Sequence, residues 1–204
     1  MKKIISMILL LLFILCMTAC GENQEVSMQL NVADLTEQEN GIAKLLQNDN
    51  FSAFFDYTVG ENIKSISIKC YKLDDKGTWI HETGGNHVIE NKAGRIAIEF
   101  NHLGEGFHVA IQNGDTISGV EHHTNQKINT KGMANSTFFA STENFSMETI
   151  ECGKEIPVAI QIFTSKDEIS SYGVTYFNEP QVYQEQGYEF VYAVTIEFSE
   201  KELS

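Results

Sequence analysis

The chain has 204 residues, 42% of them hydrophobic and 21% charged, with 15 Gly and 2 Pro. These are the proportions of an ordinary globular protein and argue against a disordered or low-complexity chain. A net charge of −14 repels phosphate backbones and anionic headgroups, so it argues against nucleic-acid binding and against docking on lipid through a basic patch.

The first element has the pattern of a targeting signal. Lys2 and Lys3 give a positive start, and Ile4 to Cys16 is apolar apart from Ser6. That run is short for a membrane span, which needs about 20 residues. It fits a secretory hydrophobic region of about 7–15 residues. Met17-Thr18-Ala19-Cys20 then resembles the lipobox of bacterial lipoproteins: a bulky apolar residue, a small one, Ala, and the required Cys. Cys20 follows the small Ala19, whereas Cys16 follows Leu15, so Cys20 is the candidate. The resemblance implies a diacylglycerol on the Cys20 thiol, loss of residues 1–19 as a signal peptide, and an extracytoplasmic protein held on the cell membrane by its lipid. It implies no activity. Two or more acyl chains hold a protein stably on a bilayer where one is marginal. Residues 20–33 read as the lipidated Cys and a polar tether. Gly21 to Val32, fully extended, reaches at most about 40 Å. The charge of the mature chain is more negative still, because Lys2 and Lys3 leave with the signal.

Residues 34–204 read as a single domain. Thr36 and Glu39 form a capping-box pattern, and Leu35, Ile42, Leu45 and Leu46 recur at helical spacing. This predicts one short amphipathic helix over 36–47, packed on a sheet, with Gly41 weakening its centre by about 1 kcal/mol relative to alanine.

The period then changes to two. Ile66, Ile68 and Cys70 share one face of SISIKC. Ile96, Ile98 and Phe100 share one face of RIAIEF, against Ala97 and Glu99. Phe107, Val109 and Ile111 do so in FHVAIQ, against His108, Ala110 and Gln112. Ile156, Val158, Ile160 and Ile162 line up in IPVAIQI, and Tyr188, Phe190, Tyr192, Val194, Ile196 and Phe198 in YEFVYAVTIEF. This alternation is the signature of half-buried antiparallel strands. Asp74-Asp75-Lys76-Gly77 reads as a hairpin loop between Tyr71–Leu73 and Thr78–Ile80. Gly84-Gly85-Asn86, Gly104-Glu105-Gly106 and Asn113-Gly114-Asp115 read as further turns, and 122–136 as a long polar surface loop. Short strands, frequent turns and one helix predict a mainly β fold: an antiparallel β-sandwich of immunoglobulin-like architecture. The Cys70…Trp79…Cys152 order matches that family only in part, so the likeness is one of architecture. VAIQ occurs twice, but its flanks differ, as expected of two similar strands rather than a duplication.

Cys70 and Cys152 remain after lipidation of Cys20. An exported pair is a candidate disulfide, and a free thiol buried on the Ile66/Ile68 face is equally natural for Cys70. All six His fall between His81 and His123, but adjacent His122 and His123 point to opposite faces of a strand. No metal-ligand frame accompanies them. Nucleophile-elbow, phosphate-loop and Ser-x-x-Lys patterns are absent, and Asp74-Asp75 lacks the spaced ligands of a calcium loop. These readings point to no cofactor and no enzyme. Five of the seven Tyr lie in the last third of the chain. Tyr172, Tyr176 and Tyr183, with Trp79, form a candidate ligand patch, since such rings suit interfaces and sugar stacking; packing at the edge of the core is the alternative.

The expectation is therefore a membrane-anchored lipoprotein, similar to small lipoproteins of Gram-positive gut bacteria, acting as a non-catalytic binding or interaction module of the cell envelope. The alternative is a carbohydrate or small-ligand binder serving uptake. Its partners would be the membrane, through the lipid, and a protein or glycan ligand.

Overall fold

The computed structural model describes residues 27–46, 50–124, 128–140, 148–170 and 172–203. Within them, strands of alternating sequence pair into two antiparallel sheets. Sheet A takes β1 (Gln29–Val32), β2 (Phe51–Thr58), β5 (Ala93–Phe100), β6 (Gly106–Asn113), β7 (Thr116–His123) and β9 (Glu148–Thr149), in the spatial order β7-β6-β5-β2-β1-β9. Sheet B takes β3 (Ser65–Leu73), β4 (Trp79–Val88), β8 (Ala134–Phe139), β10 (Glu155–Thr164) and β11 (Phe190–Ser199), ordered β4-β3-β11-β10-β8. The fold is the expected β-sandwich, with more strands than an immunoglobulin domain uses.

The period-two residues fill the space between the sheets. Ile66, Ile68 and Cys70 of β3, Ile96 and Ile98 of β5, Val109 of β6 and Val194, Ile196 and Phe198 of β11 are essentially inaccessible. Each such aliphatic or aromatic side chain contributes about 1.5–3 kcal/mol by leaving water. Cross-strand pairs fix the register, as where Ile66 faces Phe198 and Ile98 faces Val109. A slip of one residue would turn every one of these groups to the wrong side.

Helix α1 (Glu37–Leu46) closes its first turn as the capping box predicts. The Thr36 amide donates to Glu39 Oε2 at 2.8 Å, and the Glu39 amide donates back to Thr36 Oγ1 at 3.3 Å. Its packing differs from expectation. Ile42 and Leu45 are 52% and 85% exposed, and the link to sheet A is Arg95, which reaches Glu39 while holding Asp56 bidentately. A second short helix, α2 (Gln181–Gln186), ends in the left-handed Gly187.

Four further expectations are corrected. Residues 29–32, expected within the tether, form β1 between β2 and β9, with Leu30 fully buried; four residues are too few to display alternation. Gly84-Gly85-Asn86 is not a turn but the middle of β4. There Gly84, at φ +151, meets the Ile68 carbonyl and would put a Cβ 2.8 Å from Lys69 Cα, so glycine serves close approach rather than reversal. The loop expected over 122–136 fails at both ends, because His122 and His123 belong to β7 and 134–136 to β8. In β10 a bulge between Pro157 and Ala159 breaks the single apolar face: Ile156 pairs with Ile196 but Ile160 pairs with Ala193, three residues apart, so the two isoleucines point to opposite sides.

Both sides of β10 and β11 are nonetheless buried. The outer side of sheet B is covered by the segment 165–189, in which Val174, Phe177 and Tyr183 are buried.

Candidate functional site

The four aromatic residues of the predicted patch do come together, but they serve the interior. Trp79 stacks on Phe177 with centroids 5.1 Å apart and donates its indole N–H to the Phe177 carbonyl at 2.8 Å. Tyr183 packs edge-on to Trp79 and to Tyr172, and Tyr172 edge-on to Tyr176. Tyr183 is fully buried and its hydroxyl donates to the Gly173 carbonyl at 3.0 Å. Burial holds this phenol well above its ordinary pKa. The cluster fastens Phe177 and Tyr183 over sheet B, which takes Tyr183 out of any ligand patch, while Trp79, Tyr172 and Tyr176 stay half-buried.

Both Cys70 and Cys152 are free thiols, so the candidate disulfide is not formed. Cys70 is buried and pairs with Val194, whereas the residue after Cys152, Gly153, bonds to Phe198. Four residues of β11 separate these levels by about 13 Å, far beyond bridging distance. Burial pushes the Cys70 thiol far up in pKa, which removes it as a nucleophile.

The outer side of sheet A is where chemistry-bearing side chains meet. Register places three rows across it. Asp56, Arg95, Gln112 and Ile117 form one, Phe54, Ala97, Ala110 and Gly119 the next, and Ser52, Glu99, His108 and Glu121 the third. The third row sets His108 directly between two carboxylates. It runs into a cleft of about 360 Å³ that also takes in Asn50, His102, Glu105 and His123. Asn50 donates to Glu99 at 2.7 Å. His102 Nδ1 lies 3.9 Å from Glu105, and His123 Nε2 lies 3.5 Å from Glu121.

A buried amide holds the turn that borders this cleft. Gln161, on β10 and inaccessible to solvent, accepts from the Leu103 amide at 2.7 Å and donates to the Asn101 carbonyl at 2.8 Å and to Thr137 Oγ1 at 3.2 Å. It thereby fixes the turn carrying His102, whose ring also stands edge-on to Phe163 at 5.2 Å. An amide with three partners in a dry interior is rigid. The aromatic rings beside the cleft, Phe100 and Phe107, are 3% exposed and offer no face for stacking a sugar. The cleft suits a cationic or hydrogen-bond-donating group.

Sequence reading missed this site. Glu99 and His108 were visible as outward residues of alternating strands, but alternation carries no register, and register is what makes them neighbours. Among the described residues no three His, Cys, Asp or Glu side chains are arranged to hold a metal ion. No helix among them is long and apolar enough to cross a membrane. The lipobox and Cys20 lie outside the described residues. Comparison with protein-family models, curated proteins and solved structures finds no match for the chain.

Proposed function

We propose that the protein is a lipid-anchored, non-catalytic binding module of the cell envelope that offers a Glu/His cleft at the end of the sandwich turned away from the membrane. One observation carries the reading. The chain enters sheet A at Gln29, which pairs with Thr58, whereas the cleft borders the opposite end of the same sheet, at Phe100, Gly106 and His123. The length of β2, eight residues, separates the two ends, about 23 Å. With lipid on Cys20, the nine residues to Gln29 reach at most about 30 Å. The sandwich then stands on the bilayer by its Gln29 end and the cleft faces outward. The partner class that fits is a protein or envelope component presenting basic or donor groups. A carbohydrate ligand is the weaker reading, because Tyr183 is fully buried and Trp79 already stacks on Phe177.

Two measurements test this. A clickable fatty acid fed to a bacterial host expressing the full chain is expected to label the protein, and Cys20→Ala to abolish the label and release the protein from the membrane; label retained in that variant removes the anchor. A basic peptide library titrated against the soluble domain is expected to show binding lost in Glu99→Gln/Glu121→Gln. Binding on a glycan array instead, unaffected by that pair of changes, overturns the cleft assignment.

A further inference from the structure

The sandwich closes along one side where β4, the edge of sheet B, meets β7, the edge of sheet A. Two histidines face each other across this seam. His87 shares its side of β4 with the residues opposite Ile66, and His122 is paired with the inward Phe107. Their rings are perpendicular with centroids 6.1 Å apart, and His122 also lies 4.9 Å from Phe107. His122 is 8% exposed, and the Nε2 atoms of both rings are buried without a hydrogen-bond partner among the described residues. The opposing Gly85 leaves the room for this ring, since a Cβ there would lie 2.6 Å from His122 Cε1. A core seam of this size is ordinarily closed with aliphatic groups; two orphaned imidazole nitrogens cost free energy that a pair of phenylalanines would not.

We infer that the His87–His122 pair is a proton-sensitive latch that holds β7, and with it the Glu121 and His123 wall of the cleft, against β4. The chemistry is one of charge in a seam where His122 is buried, His87 is half-buried and both Nε2 atoms are cut off from solvent. Neutral imidazoles pack as aromatic groups, whereas protonated ones need acceptors or water and repel each other. The inward groups beside the pair are apolar, with Ile66 and Ile68 from β3, Phe107 and Val109 from β6 and Gly85 from β4; the Glu82 carboxylate, further along β4, acts on Cys70 and Tyr192. The other titratable groups on the two edge strands and beside them are His108, His123 and Glu121 on the outward side of sheet A, and Glu82 on β4. Burial lowers the pKa of both rings, His122 acts further on His87, and His108 and His123 act further on His122. The sign follows. An opened seam takes up protons near the ordinary value of about 6.5, while the closed seam resists them. Closure is fully stable above that pH and weakens as pH falls below it. Because His122 lies between Glu121 and His123, its release moves the cleft wall directly. That consequence for binding rests on the proposed function; the latch itself does not.

Amide hydrogen exchange tests it on the soluble domain at pH 7.5 and 5.5, corrected for intrinsic exchange chemistry. The expected result is an about tenfold or greater loss of protection in β7 at the lower pH, with β3 and β11 unchanged, and no such loss in His87→Phe/His122→Phe. Protection of β7 that is equal at both pH values, or a loss that persists in the double variant, overturns the latch. Should the double variant fail to fold, imidazole NMR titration of the native chain decides: both rings titrating below 6.5 together with β7 amide shifts supports the latch, and ordinary titration overturns it. A basic peptide that binds equally in native and latched-shut proteins at pH 5.5, with the β7 exchange result intact, removes only the link to the cleft.

Discussion

On sheet B the outward side chains of β10 and β11, such as Ile160, Ile162, Ala193 and Thr195, are buried, and the short turn Val174–Tyr176 packs on β10. On sheet A the outward side chains of β5, β6 and β7 face solvent or a helix attached mainly through the Glu39–Arg95 ion pair. The first side is closed by rings: Trp79, Phe177, Tyr183 and Tyr172 interlock, with Tyr71 edge-on to Phe177. The second is laid out in rows of small and charged residues. Large aromatic groups bury area and hold a fold together. Small and charged groups held in register leave a surface that another molecule can occupy. The aromatic clustering that suggested a ligand patch in the sequence thus also holds the fold together, and the plain alternation of β5 and β6 concealed the row of Glu99, His108 and Glu121.

The sharpest test of that division is to damage both sides equally. Tyr183→Ala removes a fully buried ring and its hydrogen bond and is expected to cost about 4 kcal/mol in urea unfolding. A cost below about 1 kcal/mol would mean the 165–189 cover is dispensable. Next comes Gln161→Leu, which strips partners from the Leu103 amide and the Asn101 carbonyl. It is expected to cost about 2–3 kcal/mol and, unlike Tyr183→Ala, to move the His102 resonances in an NMR spectrum. On the open side, Glu99→Gln/Glu121→Gln is expected to change stability by no more than about 0.5 kcal/mol while abolishing ligand binding. A large stability loss there would make the carboxylate row structural.

Alkaline titration sharpens the same contrast without mutation. Tyr71 donates to Glu155 at 2.5 Å, and burial together with that carboxylate pushes its pKa up to about 12. Tyr183 and Tyr192 are raised as well. A tyrosine whose native pKa is raised stabilises the fold fully below its ordinary value of about 10, and that contribution is lost as pH rises through 12. The ultraviolet tyrosinate signal is therefore expected to appear in two stages, the later one coincident with unfolding; a single stage near pH 10 would contradict the packing around sheet B. The smallest effect concerns the thiols. Cys152 is expected to react with a maleimide in the native state and Cys70 only after denaturation, with no change of intact mass on reduction.

How far the sequence speaks depends on what a local pattern encodes. Ile66, Ile68 and Cys70, or Val194, Ile196 and Phe198, declare a buried strand face by themselves, because the pleat has period two. The Thr36–Glu39 box likewise declares a helix start. What stays hidden is whatever one strand learns only from another. The Ile160 and Ile162 side chains turn outward because of a bulge defined against β11, and they remain buried because a distant segment covers them. Gly84 and Gly85 imitate a turn because a glycine's reason, whether reversal or room for a neighbour's backbone or ring, lies off its own strand. Gln161 reads as a polar position in an apolar run, and its three partners come from the 101–103 turn and from β8. The Glu99–His108–Glu121 row exists only through register.

The placement of β1 has a mechanical side. Its hydrogen bonds to β2 run across the strand axis from Gln29 to Val32, and the ladder continues through the Ala33 amide to Phe54 and the Ile150 amide to Met28. Suppose the chain is held by lipid at its N-terminal end and tugged by a partner at the cleft. The load then runs along β1 rather than across it. Bonds perpendicular to a pull resist together in shear, where a strand peeled from its end yields them one at a time. Under such a load β1 acts as a grip, and the sandwich keeps its shape while held at one end and pulled at the other.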